Sequence, residues 1–264
     1  MEILVCIKQV PGTALVEVDE RTGVLKRDGV EAKLNPYDLF ALELGLRLAQ
    51  ETDGHVTVIT MGPSQARAVL EEAVCIGADR GFLISDRQFA GADVCATSYT
   101  LYQGIERSGD YDLILCGKQT TDGDTAQVGP EVAEFMGIPH SANILGVRDM
   151  DRDFVTVEIN MEQYILVQKI ALPCLLTVDK DINTPRLPSY KRKKAMDPFC
   201  ITSFTMEDFA DRDKAHYGLK GSPTQVERIF PPEKISHKVI WEGGTEELAA
   251  KAAKLLRSKK FVQG

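Results

Sequence analysis

The 264-residue sequence contains no apolar run long enough to cross a membrane. Its longest runs, such as Ile3–Ile7 and Leu113–Cys116, fall far short of the roughly 20 residues that a spanning helix needs. The N-terminus lacks a basic n-region, an apolar h-region and a cleavage site, so the expected location is the cytoplasm. The six cysteines (Cys6, Cys75, Cys95, Cys116, Cys174, Cys200) are scattered. No CxxC or His-spaced pair occurs, which removes support for zinc, iron–sulfur and thioredoxin-like sites and leaves buried, reduced thiols as the expectation. Neither a GxGxxG fingerprint nor a Walker A sequence is present. The four histidines (His55, His140, His216, His237) stand apart from any nucleophile, so no catalytic constellation is visible and surface or capping roles are expected. Basic residues are in deficit: 31 Lys and Arg against 39 Asp and Glu give a net charge of −8. That balance argues against nucleic-acid binding, which needs an excess of cations for phosphate contacts.

What is present is an alternation of strand and helix signals. Glu2–Val10 reads as a buried strand, and Val16–Val18 with Val24–Lys26 read as a small hairpin around Thr22-Gly23. Asn35-Pro36 marks a helix start, with Asn as N-cap and Pro as first helical residue, and the helix runs to about Gln50. Val56–Thr60 is a second core strand, followed by a helix through Ala66, Val69, Leu70 and Ala73 that Gly77 stops. Phe82–Ile84, a helix over Val94–Arg107, the strand Leu113–Cys116 and a helix through Val132 and Phe135 continue the pattern. Such alternation predicts an α/β fold: a doubly wound, mostly parallel sheet joined by right-handed crossovers. Ile144–Arg148, Phe154–Ile159 and Ile165–Gln168 read as antiparallel additions, and Pro173–Asp179 as a further apolar strand. From Asp197 to Ile235 no core pattern is visible, so this stretch reads as an extended C-terminal arm lying on a partner, before a final amphipathic helix at Thr245–Leu256. The expected organisation is a nucleotide-binding α/β domain over 1–190 and a partner-binding arm with a C-terminal helix over 191–264.

The polar segment Gly117–Pro130 follows a core strand directly and precedes a helix. Its three glycines, its hydroxyl and amide groups and a helix N-terminus suit an anion such as a diphosphate. A plain polar connection in which Asp122 or Asp124 caps the helix would look the same. An EF-hand is a poor fit, because Ala126 and Gln127 stand where an oxygen ligand and a glycine belong. Three further loops should reach the same sheet edge: Cys6–Gln9, Asn35–Asp38 and Met61–Pro63. Together the four loops are what an adenosine pocket requires, and with no acid–base machinery the cofactor would do the chemistry. Lys191-Arg192-Lys193-Lys194 forms a basic patch on an acidic chain, readable as solvated charge or as a docking surface for an acidic partner.

Ile3–Pro11, Asn35-Pro36-Tyr37-Asp38, Met61-Gly62-Pro63, Gly117-Lys118-Gln119 and Asp122–Pro130 closely resemble the electron-transfer flavoprotein (ETF) β-subunit family. Leu172-Pro173, Leu175-Leu176-Thr177, Asn183, Pro185-Arg186 and Gly221–Thr224 extend the likeness over nearly the whole chain. The resemblance implies a heterodimer with an ETF α subunit that carries one FAD, while the β subunit holds a second nucleotide. In simple ETFs that nucleotide is a structural AMP, and the subunit serves as scaffold and docking partner. In electron-bifurcating ETFs it is a second FAD close to an NAD(H) site. There the electron pair from NAD(H) is split between ferredoxin or flavodoxin and, through the α flavin, a flavin-dependent dehydrogenase of the acyl-CoA or hydroxy-acid type. NADH-linked oxidoreductase activity is then expected only in the complex. Carried over by position, Cys6, Asn35, Pro36, Tyr37, Asp38 and Met61 hold the adenosine and phosphates together with Thr120, Thr121, Asp122, Gly123, Asp124, Thr125, Ala126, Gln127, Val128, Gly129 and Pro130. Gly123 and Thr125-Ala126 stand where simple ETFs carry Asp and Cys-Asn, so this version resembles the bifurcating type. The family's recognition segment, a leucine followed by a lysine-rich helix, corresponds here to Tyr190, Lys191, Arg192, Lys193 and Lys194, in altered form.

Overall fold

The computed structural model describes residues 1–12, 32–161, 163–227 and 239–262. The chain divides into two compact units, Met1–Glu227 and Arg228–Gly264.

The first unit is built on β1 (Glu2–Cys6), a strand buried on both faces. Side chains alternate across a strand, so Ile3 and Val5 enter the core on one face and Leu4 the core on the other. Burial on both faces is why the strand reads as one unbroken apolar run. The expected strand to Val10 stops at Cys6, because the Lys8 N–H is taken by the Asp38 carboxylate at 2.8 Å instead of a neighbouring strand. Gln9–Pro11 (β2) then pairs antiparallel with Ala32–Leu34 (β3) in a separate two-stranded ribbon. The hairpin expected at Val16–Val18 and Val24–Lys26, and His237, lie outside the described residues.

Helix α1 (Pro36–Thr52) returns the chain to β4 (His55–Met61), and α2 (Arg67–Ile76) leads to β5 (Arg80–Ile84). Helix α3 (Val94–Ser108) crosses to β6 (Leu113–Gly117) on the other side of β1, and α4 (Val128–Met136) follows. Next come β7 (His140–Met150), β8 (Phe154–Asn160), β9 (Ile165–Ala171) and β10 (Cys174–Val178). With β11 (Ile201–Phe204), these strands form a nine-stranded sheet in the order β11-β5-β4-β1-β6-β10-β7-β8-β9. All neighbours from β11 to β7 are parallel, and β8 and β9 are added antiparallel. The fold is therefore α/β and doubly wound, with α1 and α2 on one face and α3 and α4 on the other. The order reverses between β1 and β6, and in such sheets ligands bind beyond the strand ends at that point.

β10 inserts between β6 and β7 and is buried along its whole length. At the far edge Tyr164, Ile165, Leu166 and Val167 are exposed, so β9 shows apolar side chains to both sides.

The stretch from Asp197 that lacks an apolar period does not stand apart from this unit. Helix α5 (Tyr190–Ala195) is followed by β11, which pairs with β5, and then Met206, Phe209 and Tyr217 are buried against Phe89, Leu101 and Ile105. Met206 opens one short 3-10 turn that Phe209 follows, and Tyr217 follows another, with Thr205 and Asp213 at their N-caps. One-turn elements place apolar residues irregularly, which is why the sequence shows no period there. In the second unit, α6 (Thr245–Ser258) carries Glu246 and Glu247 in its first turn and Arg257 in its last, as the helix dipole favours.

Candidate functional site

The loops after β1 and β6 meet at the reversal point, and two buried side chains from the start of α1 bind them together. Asn35 stands at the N-cap position, yet its side chain makes no capping bond. It donates to the Gln119 carbonyl at 2.9 Å and accepts from the Thr121 N–H at 3.3 Å, so it ties α1 to the loop after β6. Asp38 is buried and accepts from the Lys8 and Gly117 N–H groups. Burial pushes its carboxyl up to about 7, against the opposing effect of the Asn35 amide and these two N–H donors. Gly117 is required here. A Cβ at that position would strike the Asp38 carboxylate and, at 2.7 Å, the Tyr37 carbonyl carbon.

The loop itself is exposed from Thr121 to Gln127, and Val128 is half-buried. Asp124 and Ala126 both adopt positive φ, 54° and 56°, an uncommon conformation for residues with a Cβ. The Asp124 N–H bonds the Thr120 carbonyl and the Gly123 N–H the Thr120 hydroxyl. From Thr125 to Gly129, five successive N–H groups have no acceptor among the described residues, before the Glu131 N–H returns to Gln127. Two left-handed residues, a right-handed Gln127 and a helix start gather these donors into a nest, the backbone arrangement that receives phosphate groups. Gly129 lets this helix start sit close to β10, since a Cβ there would lie 2.7 Å from Thr177 Cγ2. Gly123 has an ordinary backbone and only the Thr120 hydroxyl, at 3.4 Å, near its missing Cβ. It leaves open space, not a tight turn. The donor set fits a diphosphate.

Of the other residues expected at this site, Cys6 is half-buried at the end of β1, in register with Cys116 on β6. The Cys116 thiol is held well above its ordinary range by its hydrogen bond to Cys6 and by burial, so it stays protonated. Pro36 opens α1, Tyr37 is half-buried behind Gly117, and Met61 ends β4 at the same sheet edge. Pro130 lies in the first turn of α4. The basic patch is elsewhere. The Ser189 N–H bonds the Cys75 carbonyl near the end of α2, so Tyr190 and Lys191–Lys194 sit exposed beside the opposite end of the strands.

Two features were not assigned a role from the sequence. Lys8 Nζ grips both oxygens of Asp122, at 2.7 and 2.8 Å, joining the two loops. Burial works to raise the Asp122 carboxyl, but the Lys8 ammonium outweighs it and holds it below its usual range. The signal was a single cation placed just past a core strand. On the outer face of α3, Asp211 accepts from the Tyr99 hydroxyl and pairs with His216, each at 2.6 Å, beside a cavity of about 260 Å³ lined by Cys95, Phe135 and Ala215. Burial, with Glu131 and Asp93 nearby, raises the Cys95 thiol above its ordinary range. No cluster suited to a metal ion occurs among the described residues, and no helix among them is long and apolar enough to cross a membrane.

Fold and loop together define a doubly wound α/β protein with an anion-receptive loop at its switch point. The model of the electron transfer flavoprotein domain matches residues 22–199. The chain is 40% identical to an electron transfer flavoprotein subunit beta of Clostridium acetobutylicum, over 99% of this chain and all of that protein. It is 41% identical to the caffeyl-CoA reductase-Etf complex subunit CarD of Acetobacterium woodii, with the same coverage. With the protein FixA of Sinorhizobium fredii it shares 40% identity over 91% of this chain and 86% of the relative. The chain belongs to the electron transfer flavoprotein β-subunit family.

Proposed function

We propose that this chain pairs with an ETF α subunit and holds FAD at the Gly117–Pro130 loop, as the β subunit of an electron-bifurcating flavoprotein. The observation that carries the reading is the run of five N–H groups from Thr125 to Gly129, without an acceptor among the described residues, at the sheet's switch point. Two features favour FAD over AMP. Gly123 leaves open space at the loop surface, and a similar chain, CarD, is named as part of a reductase–Etf complex. Bound FAD would supply hydride exchange with NAD(H) and one-electron delivery toward ferredoxin or flavodoxin and, through the α flavin, a partner dehydrogenase. The residues of this chain bind and orient. The nest would receive the phosphates, Asn35 and Asp38 would keep the loops around them in register, and Cys6 and Met61 would border the adenosine at the strand ends. The apolar edge strand β9 would face the α subunit, and the patch Tyr190–Lys194 a partner with an acidic surface.

The test is a count of nucleotides released from the purified heterodimer. Two FAD per heterodimer is the expected result, and one FAD with one AMP would overturn the bifurcating assignment in favour of a scaffold subunit.

A further inference from the structure

Lys8 is fixed at its backbone, and its tip rests on a carboxylate open to water. Its N–H donates to Asp38 at 2.8 Å and its carbonyl accepts from the Asn35 N–H at 2.9 Å, so the main chain is held from both sides. Its ammonium, at the end of a flexible four-carbon stem with three donors, rests on Asp122 across the gap between the β1 and β6 loops. We propose that Lys8 is a phosphate ligand of the nucleotide loop: its ammonium leaves Asp122 for the diphosphate when nucleotide binds, and Asp122 holds it in place until then. The proposal rests on the reading of Gly117–Pro130 as the nucleotide segment.

Three observations lead here. The first is charge. Asp122 and Asp124 lie in the loop and Glu131 in the first turn of α4, so an incoming diphosphate meets carboxylates as well as N–H donors. A cation at the loop is needed to make that anion welcome. The second is availability. The lysine that directly follows β6, Lys118, is bound to the buried Asp179 at 3.1 Å. Lys8 and Asp122 are 43% and 28% exposed, and an ion pair that open to water is weak and readily exchanged. The third is position. Lys8 already reaches Asp122, only three residues before Thr125, the first N–H without an acceptor among the described residues. A charge-assisted bond to phosphate, backed by a nest of donors, is the stronger alternative.

The experiment measures ADP and adenosine affinity of the heterodimer stripped of its β nucleotide, by calorimetry. It compares wild type, Lys8→Met, Asp122→Asn and the double variant, each shown by circular dichroism to be folded. Lys8→Met should weaken ADP about ten- to a hundredfold in both the wild-type and the Asp122→Asn backgrounds, the range for a hydrogen bond to a charged group. It should leave adenosine untouched, and Asp122→Asn alone should tighten ADP. A loss of ADP affinity that disappears in the Asp122→Asn background would show that Lys8 only neutralises Asp122, and would overturn the proposal. An equal loss with adenosine would do the same. Wild-type protein that binds neither ADP nor adenosine would instead sink the nucleotide reading of the loop, and this proposal with it.

Discussion

Asp38 is the residue on which the geometry of the site turns, and it is also a pH-dependent one. In the unfolded chain its carboxyl ionises near the ordinary value of 3.8; in the fold, burial moves this to about 7. Between those values the folded state binds a proton that the unfolded state has released. Its contribution to stability is therefore complete below about 3.8 and is lost as the pH rises through 7. Asp38→Asn cannot titrate. Urea unfolding of both proteins at pH 5 and pH 8 should show the wild type losing ground relative to the variant at the higher pH. Parallel pH profiles would mean that Asp38 is not the titrating group. The sequence presents Asp38 as one member of an Asn-Pro-Tyr-Asp helix start and Gly117 as a strand-end glycine. It does not show that each is where it is because of the other, since that contact forms only when β1, α1 and β6 come together.

At the level of elements, alternation located the helices and parallel strands well, because each crossover buries its own apolar face and leaves a period to read. Edges are harder. Ile165–Val167 is as apolar as a core strand, and nothing local distinguishes burial by this chain from burial by another. Exposed apolar surface of this kind marks an interaction site. Ile165 and Val167 project to one side of β9, two residues apart. Ile165→Lys with Val167→Lys should leave the β subunit's own unfolding free energy within about 1 kcal/mol, two surface changes of at most about 0.5 kcal/mol each. The same pair should cut co-elution with the α subunit on size exclusion. Normal co-elution of that variant would move the interface to another face. The segment after Asp197 is hard to read for the opposite reason: its anchors, Met206, Phe209 and Tyr217, sit in or just after single turns and show no period, yet they complete the core beside α3.

For the whole molecule, this means that the folding unit runs to Glu227 and not to the end of the regular alternation. Phe209→Ala should cost about 3–5 kcal/mol, as loss of a buried aromatic side chain does. A denaturation midpoint unchanged by that substitution would return the segment to the status of a separate arm. The place of β10 has a consequence for how the protein is made. The ribosome delivers β6, then the Gly117–Pro130 loop and α4, then the β7–β9 meander, and only afterwards the strand that belongs between β6 and β7. At about 5–20 residues per second, the outer edge of β6 waits several seconds for its neighbour. Through that interval α4 has no Thr177 or Leu175 to rest on, although Gly129 is shaped to meet them. The start of α4 therefore cannot settle on its full support until Val178 has cleared the exit tunnel, and a translational pause placed before β10 would prolong the time in which that edge stands open.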